Sequence, residues 1–133
     1  MADGEKRFQN MGTLKPGSYV LIEGEPCQVR GIEKSKPGKH GAAKARISAF
    51  GLFSDQKRNL LKATDYEAEV PIIEKGNAQA VAVMGNTVQI MDMADYKTYD
   101  VDKPKDVPGI AGGSEVEYIK WGDLVRITRK KGT

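Results

Sequence analysis

Short stretches in which apolar and polar residues alternate, punctuated by glycine, proline and asparagine, run along most of the chain. Tyr19-Val-Leu-Ile22 leads into the turn residues Glu23-Gly-Glu-Pro26, and Cys27-Gln-Val-Arg-Gly-Ile-Glu33 alternates after them. Ala43-Lys-Ala-Arg-Ile-Ser-Ala-Phe50 alternates again. A side-chain period of two sets Lys44, Arg46 and Ser48 on one face of that strand and Ala45, Ile47 and Ala49 on the other. Residues 78–84 and 87–93 flank Gly85-Asn86, a turn of hairpin length. Further strands are predicted over 98–101, 115–120 and 124–128, with Arg129-Lys-Lys131 left as a polar tail. Residues 103–113 hold two prolines and three glycines and are assigned to a loop with room for a single helical turn. No long stretch carries helical periodicity, so the pattern predicts an all-β protein.

The best break in this pattern is Val70-Pro71, because proline favours turn, extended or edge positions. It divides the 133 residues into 1–70 and 71–133, two pieces of the size of small β-barrels. Charge divides at the same place. Residues 1–70 carry 12 basic and 9 acidic side chains, whereas 71–133 carry 9 of each, so the whole net charge of +3 lies in the first piece. Lys34, Lys36, Lys39, Lys44 and Arg46 fall within thirteen positions that contain no acid. That cluster points to an anionic partner, nucleic acid before membrane, because no amphipathic basic helix accompanies it.

Other chemistry is sparse. The only cysteine, Cys27, rules out an internal disulfide, and Cys27 with the single histidine, His40, falls short of a zinc ligand set. Cys27 opens a strand and is expected in the core. No apolar run is long enough to span a bilayer, and no signal segment follows Met1, so a cytoplasmic protein without membrane contact is expected. Trp121, Tyr96 and Tyr118 either stack on bases or pack within the second piece.

The richest motif is Lys36-Pro-Gly-Lys-His-Gly41. Pro37 presets φ for the first central position of a turn, and Gly38 supplies the positive φ that a type II turn needs next. Lys39 follows the turn, has Gly41 beyond it and few apolar groups nearby to pack against. It is therefore expected to project from a hairpin tip as a compact ammonium, suited to phosphates or to a modifying enzyme. His40 has no second histidine or acid near it in sequence to make a proton-transfer pair, which favours loop support or an RNA contact. An enzyme is not expected: paired catalytic residues and a phosphate-cradling glycine loop are both missing from the sequence.

Ser35-Lys-Pro-Gly-Lys-His-Gly41 followed by Ala43-Lys-Ala-Arg46 resembles the signature of translation factor 5A in its archaeal form. Glu25-Pro-Cys27, Val70-Pro-Ile-Ile-Glu-Lys75, Val88-Gln-Ile-Met-Asp92, Asp95-Tyr-Lys-Thr98 and Glu115-Val-Glu-Tyr118 resemble its other segments in the same order. The resemblance implies an SH3-like barrel over 1–70 followed by an OB-fold over 71–133. It implies no dissociable cofactor or metal, but hypusine or deoxyhypusine made from spermidine on Lys39 by deoxyhypusine synthase. Lys36, Pro37, Gly38, His40, Gly41, Lys44 and Arg46 would support that loop or touch RNA. Partners would be the ribosome, through rRNA at its exit site, and peptidyl-tRNA, whose acceptor end the modified lysine approaches to favour peptide-bond formation on stalled sequences such as proline runs. Eukaryotic relatives carry histidine where this chain has Ala42, which leaves hypusine and deoxyhypusine both open. The competing reading from composition alone is an unmodified single-strand RNA-binding module.

Overall fold

Strand-forming alternation governs the fold, and the computed structural model describes residues 3–35 and 43–131. Eleven strands are present among them: β1 (Lys6–Asn10), β2 (Tyr19–Ile22), β3 (Glu25–Ser35), β4 (Lys44–Gly51), β5 (Lys57–Ala63), β6 (Glu67–Pro71), β7 (Glu74–Met84), β8 (Thr87–Asp92), β9 (Thr98–Asp102), β10 (Glu115–Trp121) and β11 (Leu124–Lys130). The described helical structure is one 3-10 turn, Met11–Thr13. The chain divides into two compact units, Glu5–Ile72 and Met1–Gly4 with Ile73–Thr133.

In the unit Glu5–Ile72, β2, β3, β4 and β5 form an antiparallel sheet in that order, and β1 pairs with β6 as a separate ribbon. This is the SH3-like barrel. The hairpin from β2 to β3 turns on Glu23 and Gly24, both with positive φ, as the tight turns that match strand twist require. β4 is paired on both sides, and its inward residues Ala45, Ile47 and Ala49 are almost fully buried, as the alternation predicts. They pack with Met11, Val20, Cys27, Val29 and Val70 into one core. Between Val29 and Gly31 the ladder of β3 with β4 shifts register, a bulge that adds bend and twist to the long hairpin.

In the other unit the strand order is β11, β10, β7, β8, β9, and the outer strands β9 and β11 approach each other, curling the sheet as in an OB-fold. Its core is Ala78, Ala80, Val88, Ile90, Val101, Val116 and Ile127, with Val107 and Ile110 entering from the 103–113 loop. Asp92 is the exception among the buried residues, a carboxylate only 7% exposed. One oxygen accepts the backbone N–H of Ala94 at 2.7 Å and of Asp95 at 3.0 Å, and the other accepts the hydroxyl of Tyr118. The Tyr118 ring lies against Gly76, its cross-strand partner, where an added Cβ would come within 2.6 Å of it. The tyrosine hydrogen bond, helped by the Asp95 and Ala94 amides, holds the Asp92 carboxyl below its ordinary range despite burial. Burial, then the same carboxylate, pushes the Tyr118 hydroxyl up.

Several elements differ from the sequence expectation. β1, β5 and β6 have no counterpart among the predicted strands. β1 is exposed along almost its whole length and exists through its pairing with β6, so it carries no alternation to detect. In β5 the adjacent Leu60 and Leu61 blur the period of two: Leu60 packs on the core and Leu61 points away. Arg129 and Lys130, expected in a tail, belong to β11 and pair with Glu117 and Val116. The 103–113 loop is built of turns, without a helix. Pro71 ends β6 opposite Lys6, and the division between units falls after Ile72.

Two measurements check this account. Ile47→Ala is expected to lower the unfolding free energy of its unit by about 2–5 kcal/mol, the usual cost of emptying a buried isoleucine site. Urea denaturation would show it, and a loss near zero would mean that β4 does not anchor the core. For Asp92, a folded pKa below the ordinary 3.8 means stability fully present above that value and lost as pH falls through it towards the folded value. Asp92→Asn is therefore expected to cost about 1–3 kcal/mol at neutral pH and to flatten the decline of stability below about pH 5. Parallel pH profiles for the two proteins would contradict it.

Candidate functional site

The hairpin of β3 and β4 carries the candidate site, and its described arms end at Ser35 and Ala43. Lys36, Pro37, Gly38, Lys39, His40 and Gly41 lie outside the described residues. Lys44 and Arg46 are described, and both are exposed on the outer face of β4. The two arms remain in register to the end, with Lys34 opposite Ala45 and Ser35 opposite Lys44. On the other side β5 continues the sheet, placing Ala63 opposite Lys44 and Leu61 opposite Arg46.

Hydrogen bonds carry the anchoring past the last strand pairs. The carbonyl of Ala43 accepts the N–H of Thr64 at 2.9 Å, and the carbonyl of Thr64 accepts the N–H of Gly12 at 2.9 Å. Met11 donates its N–H to the carbonyl of Tyr66 at 2.8 Å and is itself wholly buried. The loop end of the hairpin, at Ala43, is thus tied through the 63–66 turn to the 3-10 turn and the core beneath it.

The ladder also rearranges the charges. Glu33 stands directly opposite Arg46, although in sequence the cluster from Lys34 to Arg46 is free of acid. β5 adds Leu61 beside Arg46 on that face, whereas Lys62 pairs with Ala45 and its ammonium lies 4.9 Å from the centre of the Tyr66 ring. Leu61 was not among the expected site residues, and the signal that would have found it is the pairing of β5 with β4, which a weakly alternating segment hides.

The remaining candidates separate cleanly. Cys27 is fully buried, its thiol pushed up to about 11, first by burial and then by Glu25, and it has no place in the site. Trp121 is 3% exposed and Tyr118 is buried with its hydroxyl engaged by Asp92, so both pack rather than present a stacking face. Tyr96 is 70% exposed. No group of three or more His, Cys, Asp or Glu among the described residues could hold a metal ion, and none of the described helical structure is long and apolar enough to cross a membrane.

Known proteins share this arrangement. Residues 6–66 match the family described as translation initiation factor 5A-like, N-terminal. The translation initiation factor 5A of Sulfurisphaera tokodaii is 49% identical over 94% of this chain and 98% of its own, and that of Pyrobaculum arsenaticum is 50% identical with the same coverage. The chain belongs to the translation initiation factor 5A family. A solved factor 5A structure from Methanococcus jannaschii superposes with a TM-score of 0.87 at 43% identity, covering 95% of each chain. The two successive β units are therefore those of factor 5A. The family is one of translation factors rather than enzymes, and association with the ribosome follows from membership.

For a ribosome-associated factor 5A, the exposed cations of β4 are expected to bind phosphates. Replacing Lys44 or Arg46 by Gln should weaken ribosome binding and lower the slope of log affinity against log salt by about 0.7–1 unit for each phosphate no longer neutralised. An unchanged slope in a filter or sedimentation binding assay would remove that residue from the interface.

Proposed function

We propose that the chain promotes peptide-bond formation on stalled sequences, such as proline runs, through a hypusine or deoxyhypusine side chain at Lys39. The aminobutyl group comes from spermidine and is attached by deoxyhypusine synthase. The factor then occupies the ribosomal exit site with the modified lysine beside the acceptor end of peptidyl-tRNA. Supporting the reading most directly is the two-sided pairing of β4: a long hairpin held in register to Ser35 and Lys44 gives the segment between its arms a fixed point of departure.

The added group lengthens the side chain and carries a second cation to its end. That extension suits a narrow, anionic RNA crevice better than an ordinary lysine does. Its work there is to position the acceptor end, which lowers the entropic part of the barrier without transferring protons. Lys36, Pro37, Gly38, His40 and Gly41, its neighbours in sequence, serve to support the modified lysine or to contact RNA, while Lys44 and Arg46 meet phosphates from the arm.

Lys39→Arg keeps a positive charge and blocks the modification. It is expected to preserve most of the ribosome affinity while abolishing stimulation of a proline-rich message in a reconstituted translation system. Full stimulation by the variant would sink the proposal and leave an RNA-binding module acting by charge alone. Peptide mass mapping of protein from its native host checks the same point independently, the expected result being an aminobutyl-type addition on Lys39 and on no other lysine.

A further inference from the structure

Trp121 is buried without belonging to the core. It is only 3% exposed, yet the apolar cluster of its unit is built from Ala78, Val88, Ile90, Val116, Ile127 and their neighbours, and the indole stands outside it. The strand ladder accounts for little of that burial. β10 pairs with β7 only as far as Lys120, opposite Glu74, so within the described ladders Trp121 has a partner on one side, Leu124.

Backbone at Gly4 lies against the ring. A Cβ added there would stand 2.6 Å from Cδ1 and 2.8 Å from Cγ of the indole, and 2.7 Å from the backbone nitrogen of Gly122. Those separations are too short for any side chain, and one of the atoms met is backbone, so a residue with a Cβ at position 4 would have to lift off the ring. Gly4 precedes β1 in sequence but groups with Ile73–Thr133, not with the unit that β1 belongs to. The chain therefore passes between the units at two places, Gly4–Glu5 and Ile72–Ile73. Beyond the first of them the carbonyl of Glu5 accepts the N–H of Ile72 at 2.9 Å, and the ladder of β1 with β6 begins at the next residue.

We propose that the stretch ending at Gly4 is a reversible strap over Trp121, closed in this structure, whose release exposes the indole while the strands stay paired. Glycine has no side chain to anchor it and loses more conformational freedom on ordering than any other residue. A segment held by so little buried apolar surface opens at lower free energy than the core beside it. Opening leaves Ile72–Ile73 as the one passage between the units, so covering of the ring and double linkage of the units are gained and lost together.

Trp121 is the only tryptophan, so its emission reports the strap directly. In the full, unaltered chain, acrylamide quenching of that emission is expected to rise with urea before the far-ultraviolet β signal is lost, and with the shallow urea dependence of a small exposed surface. Gly4→Ala is expected to shift the emission to longer wavelength and raise quenching severalfold without urea, with its β signal and cooperative unfolding intact. Asp3→Ala changes an exposed neighbour and adds no atom at the contact, and is expected to leave both readings unaltered. Quenching that rises only as the β signal falls overturns the strap, since Gly4 would then be an inseparable part of the fold, and this measurement decides the matter even where Gly4→Ala fails to fold. A folded Gly4→Ala protein with unchanged emission and quenching overturns it as well, as does an equal shift in Asp3→Ala.

Discussion

Everything at the hairpin depends on β4 being paired along both edges while every second side chain is buried. Ala45, Ile47 and Ala49 lie in the core, and their burial fixes Lys44, Arg46 and Ser48 on the outer face. A slip of one residue would drive Lys44 and Arg46 into an apolar core and bring Ile47 into water, costs that add along the strand. Orientation of the cations is thus a consequence of hydrophobic packing, with electrostatics having no part in choosing it. The hydrogen bonds between Ala43 and Thr64 and between Thr64 and Gly12 extend that constraint beyond the last residue pairs.

The second unit reaches a defined structure by a different route, through a buried charge. Asp92 accepts three hydrogen bonds, two from the turn that follows it and one from Tyr118 on a strand far away in sequence. The ring of Tyr118 needs the bare backbone of Gly76 opposite, and Tyr99 packs near it with ring centres 5.8 Å apart. A turn, several strands and a glycine are thereby coupled through one carboxylate. Apolar packing alone would leave the turn at 93–97 with less to specify its path, since Tyr96 within it holds a positive φ that a tyrosine rarely adopts.

Alternation made most of the fold legible. β2, β4 and β8 announce themselves because one face is buried and the other wetter, and the hairpin turns at Glu23-Gly24 and Gly85-Asn86 carry their own chemistry. β1 was hidden for the converse reason, since it is exposed along almost its whole length and held by pairing with β6, while β6 buries Ala68 and Val70 in an alternation only five residues long. The same limit applies to the site. Lys44 and Arg46 could be placed on one face by counting, but Glu33 opposite Arg46 and Leu61 on its other side are products of register, and register depends on the bulge between Val29 and Gly31. The aromatic residues show how much burial decides: Trp121, Tyr118 and Tyr96 are alike in sequence as stacking candidates, and two of them are consumed by the core.

Charge at the hairpin is moderated rather than maximal. Glu33 stands opposite Arg46 across the ladder, so the acid-free cluster of the sequence becomes a face that also carries a carboxylate, borne on a residue whose Cβ lies roughly 5 Å from that of the arginine as in any directly opposed antiparallel pair. Unopposed cations would hold any polyanion, and affinity of that kind is independent of sequence and shape. A face with an offset cation and an apolar side chain gains less from bulk phosphate and relatively more from a surface that matches its geometry. A factor that must engage a ribosome and leave it again is better served by that balance, because its residence then depends on how well the hairpin fits and much less on how many charges it carries.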